Sequence, residues 1–193
     1  MRRAGAQFVL AVSISLTLAL AACSSSLSGS QSETPVRAVP TPVFTEPAVP
    51  TVDRPLNLHG ITACSVLSSK SLRALDLAPG TAVNESNANA SGCSWASGDD
   101  SFNATVALSE IRDLRLFYRM RDTFNFFEPE VVDGYPAVRV SDVDSGSCLI
   151  LVGNANDQSF SVQAGGLGGP QRDWCALARR VASAVLTSLP HGR

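Results

Sequence analysis

Histidine is scarce in this sequence, and its scarcity limits the chemistry that the chain can perform. The 193 residues include only His59 and His191. Both lie near the edges of the part that we expect to fold. A serine–histidine–aspartate catalyst would need one of them as its general base, and neither lies in surroundings typical of that role. We therefore expect no enzymatic activity, no catalytic residue, and no cofactor or metal.

A surplus of positive charge is also missing. The chain carries 15 basic and 17 acidic residues, for a net charge of −2. Arg2 and Arg3 precede the cleavage point predicted below, and their removal moves the net charge to −4. Non-specific nucleic-acid binding requires a basic face. The mildly acidic composition therefore argues against a nucleic-acid partner.

The chain has no apolar run long enough to be a clear transmembrane helix. Arg2 and Arg3 form a short positive region, and Phe8 to Ala22 is apolar with small polar interruptions. A membrane-spanning helix needs roughly 20 residues, and this run has about 15. The pattern predicts a cleaved signal peptide over residues 1–22, exported by the general secretory route.

The signal peptide ends in Leu20-Ala21-Ala22-Cys23, which resembles the bacterial lipobox. The resemblance implies that the Cys23 thiol receives a diacylglyceryl group and becomes the first residue of the mature chain. Two acyl chains hold a protein stably on a bilayer. Membrane lipid is then the partner of Cys23, and the protein lies on the outer face of the cytoplasmic membrane in the cell envelope. The alternative is an ordinary secretory signal with a chance cysteine.

Residues 23–55 have low complexity. Serine is abundant first, and six of the chain's 11 prolines follow before residue 56. Proline removes backbone donors and fixes φ, so neither helix nor sheet is expected here. We predict a disordered tether over residues 23–55 and one folded domain over residues 56–193.

Hydrophobic periodicity in the folded domain indicates an α+β fold. Apolar spacing predicts a helix over residues 61–77, a second helix opened by Ser109 and Glu110, and a final helix capped by Asp173. Alternating apolar residues predict strands between these helices. The predicted strands are 81–86, 92–96, 102–108, 131–132, 135–140, 148–152 and 160–164. We expect an antiparallel sheet with the C-terminal helix packed on one face, stapled by two disulfides.

Four cysteines remain once Cys23 is assigned to lipid. An exported chain with an even number of cysteines indicates disulfides, and no pair has the CxxC spacing of a zinc or redox site. Four cysteines allow three pairings. We predict that Cys64 bonds to Cys175, joining the first and last helices, and that Cys93 bonds to Cys148, joining two strands.

Several short motifs resemble a known family. They are the lipobox at Cys23, Cys64-Ser65-Val66-Leu67, Gly92-Cys93-Ser94-Trp95, Asp133-Gly134-Tyr135-Pro136-Ala137, the strand at Cys148, and Asp173-Trp174-Cys175. In their order and spacing the chain resembles actinobacterial lipoproteins, several of them mycobacterial, that carry domain of unknown function 3558. Ala63 departs from the family, which usually has an acidic residue or proline there. The resemblance implies an envelope lipoprotein and transfers no catalytic residue.

Other motifs admit a functional and a plain structural interpretation. The glycine-rich run 165–170 could hold phosphate, but it lacks the lysine and spacing of a P-loop, so a connection is favoured. Asp142 and Asp144 favour a solvated turn over a calcium loop. Four arginines could face anionic lipid or wall polymer, although a solvated helix face is favoured. They are Arg112, Arg115, Arg119 and Arg121.

Aromatic residues supply the candidate ligand site. Phe124, Phe126, Phe127 and Tyr135 could line an apolar cleft, although ordinary core is favoured. The leading hypothesis is a non-enzymatic module that binds a small apolar ligand or a partner protein of the envelope. The alternative is a structural or accessory subunit of an envelope complex. A deep aromatic pocket would favour ligand binding, and a flat apolar patch would favour the accessory role.

Overall fold

The computed structural model describes residues 48–141, 146–166 and 173–192. Short 3-10 turns at Pro79–Thr81 and Arg121–Thr123 accompany the regular elements. The helices are α1 (Ala63–Val66), α2 (Ser69–Ala74), α3 (Leu114–Arg119) and α4 (Trp174–Ser188). The strands are β1 (Val83–Asn84), β2 (Ser91–Ala96), β3 (Phe102–Ser109), β4 (Glu128–Val132), β5 (Tyr135–Arg139), β6 (Ser147–Gly153) and β7 (Ser159–Gly166).

The strands form one seven-stranded sheet in the order β1-β2-β3-β7-β6-β5-β4. Every neighbouring pair is antiparallel, and β3 pairs with β7 along eight residues, from Phe102 opposite Gly166 to Ser109 opposite Ser159. Long β3 and β7 therefore occupy the centre, and short β1 and β4 form the edges. The α+β prediction, with an antiparallel sheet and a C-terminal helix packed against it, is confirmed.

The main core lies between the sheet and α4, on what we call the first face. Side chains alternate along each strand, so Phe160, Val162 and Ala164 of β7 all point to this face and are at most 1% exposed. Helix α4 contributes Val181 and Val185 to the same core, and both are fully buried. Asp173 caps the helix, because its carboxylate accepts a hydrogen bond from the Ala176 amide at 2.8 Å.

Tight turns fix the register of the outer strands. The β4–β5 hairpin turns at Asp133 (φ 50°) and Gly134 (φ 85°), and positive φ at both positions is typical of a type I′ turn. The turn makes Val132 opposite Tyr135 a hydrogen-bonded pair, and such pairs alternate with non-bonded ones. Pro129 therefore occupies a position whose backbone nitrogen faces away from β5, where a missing N–H removes no bond of the sheet.

Two predicted helices differ from the structure in their boundaries. The predicted helix 61–77 is two short helices, because Leu67 adopts an extended conformation and Ser68 then caps α2. The helix expected from Ser109 begins instead at Leu114. Strand β3 continues through Ser109, and the Asp113 carboxylate caps α3 by accepting from the Leu116 amide at 3.1 Å.

The predicted disulfide pairing is wrong. Cys64 bonds to Cys93 and Cys148 bonds to Cys175, and each pair has its Cα atoms 5.0 Å apart. Strands β3 and β7 separate Cys93 on β2 from Cys148 on β6, and three strand spacings amount to about 14 Å. That distance is too long for a disulfide. Helix α1 packs on β2 instead, and the first turn of α4 brings Cys175 to β6.

Residues just before position 56 pack on the domain. Val52 is buried, and its amide donates to Asn156 Oδ1 at 3.1 Å. The Arg54 carbonyl accepts from the Tyr135 hydroxyl at 2.9 Å. The packed region therefore begins before Leu56, whereas the composition of the sequence predicted that the folded domain starts at residue 56. Proline content obscured this segment, because Pro50 and Pro55 flank it.

Candidate functional site

The described residues cover only half of the second face of the sheet. Helix α3 and the segment after it lie over β5 and β6, where Leu114 and Tyr118 pack on Val138 and Leu151. The half of the sheet that α3 does not cover presents small polar side chains to this second face. Thr105 and Ser161 are half-buried there, and Gln163 is exposed. The sequence alternation that buries the first face thus leaves a polar strip on the second.

A groove lies where the covered and uncovered halves of the second face meet, and we call it the sheet groove. Its volume is 470 Å³. Small and aliphatic residues of three central strands form its floor: Ala107, Ser109, Leu149, Leu151, Ser159 and Ser161. One wall is the loop from Asn87 to Ala90, and the other carries Arg112 and Phe117. The groove combines an apolar end, hydroxyl groups and one cation.

Internal hydrogen bonds shape the loop wall. Asn87 Oδ1 accepts from the Asn89 amide at 2.9 Å and from the Ala90 amide at 3.2 Å. The Ser109 hydroxyl donates to the Asn89 carbonyl at 3.4 Å, which ties the loop to the end of β3. These bonds occupy Asn87 Oδ1, while the Asn89 side chain makes no bond among the described residues. The sequence shows this loop only as a run of asparagine and serine.

Arg112 is the cation of the groove wall. Its backbone carbonyl accepts from the Ser159 hydroxyl at 2.6 Å, so the residue is fixed to the start of β7. Its side chain is exposed and makes no ion pair with any described residue. By contrast, Arg115 pairs with Asp113 at 2.7 Å. The Arg112 guanidinium is therefore available to a ligand carboxylate or phosphate.

His59 lies close to the same end of the sheet. Its Nδ1 lies 2.5 Å from Glu110 Oε2, and its Nε2 lies 3.2 Å from Gln158 Nε2. Gln158 Oε1 accepts from the Leu58 amide at 2.9 Å, which leaves the Gln158 NH₂ group to donate to His59. Both ring nitrogens are thus engaged, and no hydroxyl or thiol bonds to His59 among the described residues. The ring is not arranged to activate a nucleophile.

Glu110 also borders a second cavity, which adjoins the groove through the shared loop from Asn87 to Ala90. Its volume is 410 Å³, and Ile61 and Ile111 supply its apolar lining. Sequence spacing gave no sign that His59, Glu110 and Gln158 meet. They are brought together because the ends of β3 and β7 lie side by side.

The structure does not bring the four predicted cleft aromatics together. Phe124 and Phe127 have ring centroids 6.1 Å apart on the second face, and Tyr118 meets Phe127 edge-on at 5.2 Å. Burial of the Tyr118 phenol raises its pKa. The aromatic residue in the groove wall is Phe117, which belongs to α3 and was not among the predicted site residues.

The other two predicted aromatics have separate surroundings. The Phe126 ring lies under the Arg139 guanidinium, 4.2 Å from ring centroid to Cζ. Tyr135 belongs to the core of the first face and donates its hydroxyl to Arg54. The strand alternation explains the split, because Tyr135 and Val138 of β5 point to opposite faces.

Several predicted features fall outside the described residues. They are the signal peptide over residues 1–22, Cys23, tether residues 23–47, the aspartates 142 and 144, and residues 167–170 of the glycine-rich run. Gly165 and Gly166 are described and belong to β7. Within the described ranges, no group of three or more His, Cys, Asp or Glu side chains could hold a metal ion. Among the same residues, no helix has both the length and the apolar character needed to cross a membrane.

The chain matches a known protein family. Residues 18–188 match the family described as protein of unknown function (DUF3558). The chain therefore belongs to this family, as the motifs around Cys64, Cys93 and Cys175 indicated. No curated protein and no solved structure matches the chain.

Proposed function

We propose that this chain is an envelope lipoprotein, anchored through Cys23, whose domain is a non-catalytic module that binds a segment of a partner protein in the sheet groove. The anchor rests on the order of basic residues, apolar run and Leu-Ala-Ala-Cys at the N-terminus. The binding role rests chiefly on one observation: among the described residues, half of the second sheet face carries no helix, and the groove lies at the border of that half.

The lining of the groove favours a peptide segment over a small apolar ligand. Small-molecule sites are usually enclosed and mostly apolar. Here the floor includes the half-buried Ser161, and the loop wall carries the exposed Asn89. Hydroxyl and amide groups suit the backbone of an extended segment, and Phe117 and Leu149 offer apolar contact for its side chains.

Addition of a partner strand at the sheet edge fits less well. An edge strand presents a row of unpaired backbone groups, and proline interrupts that row. Pro129 occupies an outward-facing position of β4, and β1 at the other edge has only two residues, Val83 and Asn84. The groove is therefore the better contact site.

Filling the groove tests this role. The protein would be purified from its own host as wild type, as Ser161→Trp, and as the matched control Gln163→Trp, which changes the same face two residues further along β7. We expect a stoichiometric partner protein in native mass spectra of wild type and control, and at least tenfold less of it with Ser161→Trp. A bound small molecule in place of a protein would contradict the proposal, as would equal recovery with both variants.

The anchor is tested separately by the intact mass of the exported chain. We expect a mature chain that begins at Cys23 and carries a diacylglyceryl group, and release of the Cys23→Ala variant from the membrane fraction. A mature chain without lipid at Cys23 would contradict the anchor and leave the groove experiment unaffected.

An accessory role in a complex has one supporting feature of its own. Val131 on edge strand β4 is 69% exposed, and it borders a cavity of 570 Å³ between α2, β4 and α4. Leu75 and Ala184 add apolar surface there. If Val131→Glu, and not Ser161→Trp, released the co-purifying protein, this edge would be the contact site.

A further inference from the structure

We propose that the residues around α3 dock on an anionic lipid surface, so that the domain has a fixed membrane-facing side. This inference rests on the proposed lipid anchor, which would hold the domain near a bilayer. We call the residues involved the α3 surface: Ile111, Arg112, Arg119, Met120 and Arg121. Ile111 and Arg112 precede the helix, and the other three end or follow it.

Exposed apolar side chains are the first argument. In the described part of the chain, four large hydrophobic residues are exposed: Val83, Ile111, Met120 and Val131. Two of them belong to the α3 surface, with Ile111 at 71% and Met120 at 41% exposure. Apolar side chains next to basic ones are typical of proteins that lie in the bilayer interface.

Charge is the second argument. Residues 110–122 carry four arginines and three carboxylates, whereas the rest of the described residues carry six basic and ten acidic side chains. All three carboxylates have partners within the protein: Glu110 contacts His59, Asp113 caps α3 and pairs with Arg115, and Asp122 lies 3.9 Å from Arg121. The segment is thus the positive part of an otherwise acidic domain, and an anionic surface would select it.

The third argument is the place where the first described residues pack on the domain. Val49, near the start of the described residues, packs on the cluster formed by Leu114, Tyr118, Val138 and Leu151. Thr51 and Leu114 line one cavity of 300 Å³. Among the described residues, the part of the chain that follows the proposed anchor therefore packs on the α3 side of the sheet.

A phospholipid surface matches this combination better than an acidic protein does. Arginine forms paired hydrogen bonds with phosphate, and the hydrocarbon beneath the headgroups accommodates side chains such as Ile111 and Met120. Each contact is weak when free in solution. A tethered domain meets the surface at high effective concentration, so weak contacts suffice to orient it.

Tryptophan quenching tests the orientation. The full exported protein, purified from its host, would carry Met120→Trp or the matched control Val83→Trp, whose site is 57% exposed on edge strand β1. Native Trp95 and Trp174 are buried, so they provide a constant background. In vesicles that contain brominated phosphatidylglycerol, we expect at least about twofold more quenching for Met120→Trp than for Val83→Trp.

The charge requirement is tested in the same vesicles. Adding Arg112→Gln and Arg121→Gln to Met120→Trp, or raising the salt to about 1 M, should return quenching to the level of the Val83→Trp control. Brominated phosphatidylcholine alone should give the same low level. Equal quenching of the Met120→Trp and Val83→Trp variants, or quenching independent of headgroup charge, would overturn the proposal. So would protection of position 120 by a co-purifying protein without vesicles.

The intact mass of the same sample separates the two proposals. A chain that carries lipid but shows no preferential quenching at position 120 contradicts the docking alone. A chain without lipid contradicts the anchor and, with it, the tethered docking that rests on the anchor.

Discussion

Strand β7 shows how the two faces of the sheet differ. Phe160, Val162 and Ala164 point to the first face, where α4 buries them, whereas Ser161 and Gln163 point to the second. The first face is apolar across the central strands. In the part of the chain that the structure describes, the second is apolar beneath α3, and its remaining part is polar and carries no helix. The comparison indicates that apolar burial is concentrated on one face, and the proposed binding surface lies on the other.

The largest expected effect contrasts adjacent residues of β7. Phe160→Ala should lower the free energy of unfolding by about 3–5 kcal/mol, because it opens a cavity in a fully packed core. Ser161→Ala should change it by less than about 0.5 kcal/mol, because its side chain is half-buried on the open face. Urea unfolding with the disulfides intact measures both. Similar losses for the two variants would contradict the conclusion that the first face contributes most of the stability.

The disulfides should have the next largest effect, and both attach elements to the first face. They join residues 29 and 27 positions apart. Removing either one as a double alanine variant should cost about 3–4 kcal/mol in the loop-entropy account. Urea unfolding of the Cys64→Ala/Cys93→Ala and Cys148→Ala/Cys175→Ala variants measures the loss.

The pairing itself can be checked before any variant is made. A non-reducing peptide map should contain a linked peptide with Cys64 and Cys93 and another with Cys148 and Cys175. A linked Cys64–Cys175 peptide would contradict the sheet order around β2 and β6, and with it the assignment of the two faces.

The first face was predictable from sequence, and the second was not. Alternation in Phe102, Ala104 and Val106 or in Phe160 and Val162 predicts a half-buried strand without further information. The sequence does not state which strands lie side by side. The antiparallel central pair of β3 and β7 separates Cys93 from Cys148, and local spacing could not show this.

The candidate site was harder to predict for the same reason. The sheet groove joins residues from β3, β6, β7, the loop 87–90 and α3, which are far apart in the chain. From the sequence, Ser161 and Ala107 can be assigned only to the less buried face of a strand, because the neighbouring strands are not known. Phe124, Phe126 and Phe127 were predicted to line one cleft because they lie close together in the sequence. Neighbouring residues of a turn or strand, however, point in different directions.

A smaller effect is expected on the covered half of the second face. Phe127→Ala should lower the free energy of unfolding by about 2 kcal/mol, because the half-buried ring loses its edge-on contact with Tyr118. Phe126→Ala is the matched control, since its ring contacts Arg139 and should cost about 1 kcal/mol or less. Chemical unfolding of both variants gives the comparison. A loss with Phe127→Ala as large as that with Phe160→Ala would show that α3 stabilises the fold as much as α4 does.

The smallest effect concerns Asp99, in the turn between β2 and β3, which belongs to neither face. Hydrogen bonds from the Ser97 and Ser101 hydroxyls, at 2.6 and 2.8 Å, hold the pKa of its carboxyl at about 2, below the usual 3.8. Because the folded-state pKa is the lower one, the stabilisation is present above pH 3.8 and is lost as the pH falls toward 2.

Carbon-detected NMR titration of the Asp99 carboxyl tests this turn directly. We expect Ser101→Ala to move the midpoint upward toward the ordinary aspartate value, because one of the two hydroxyl donors is lost. Asp99→Asn should abolish the acid dependence of stability that this carboxyl causes, and it should not alter the packing on either face of the sheet. A wild-type midpoint near 3.8 would mean that the serines do not favour the ionised carboxylate, and the β2–β3 turn would then owe its conformation to the backbone alone.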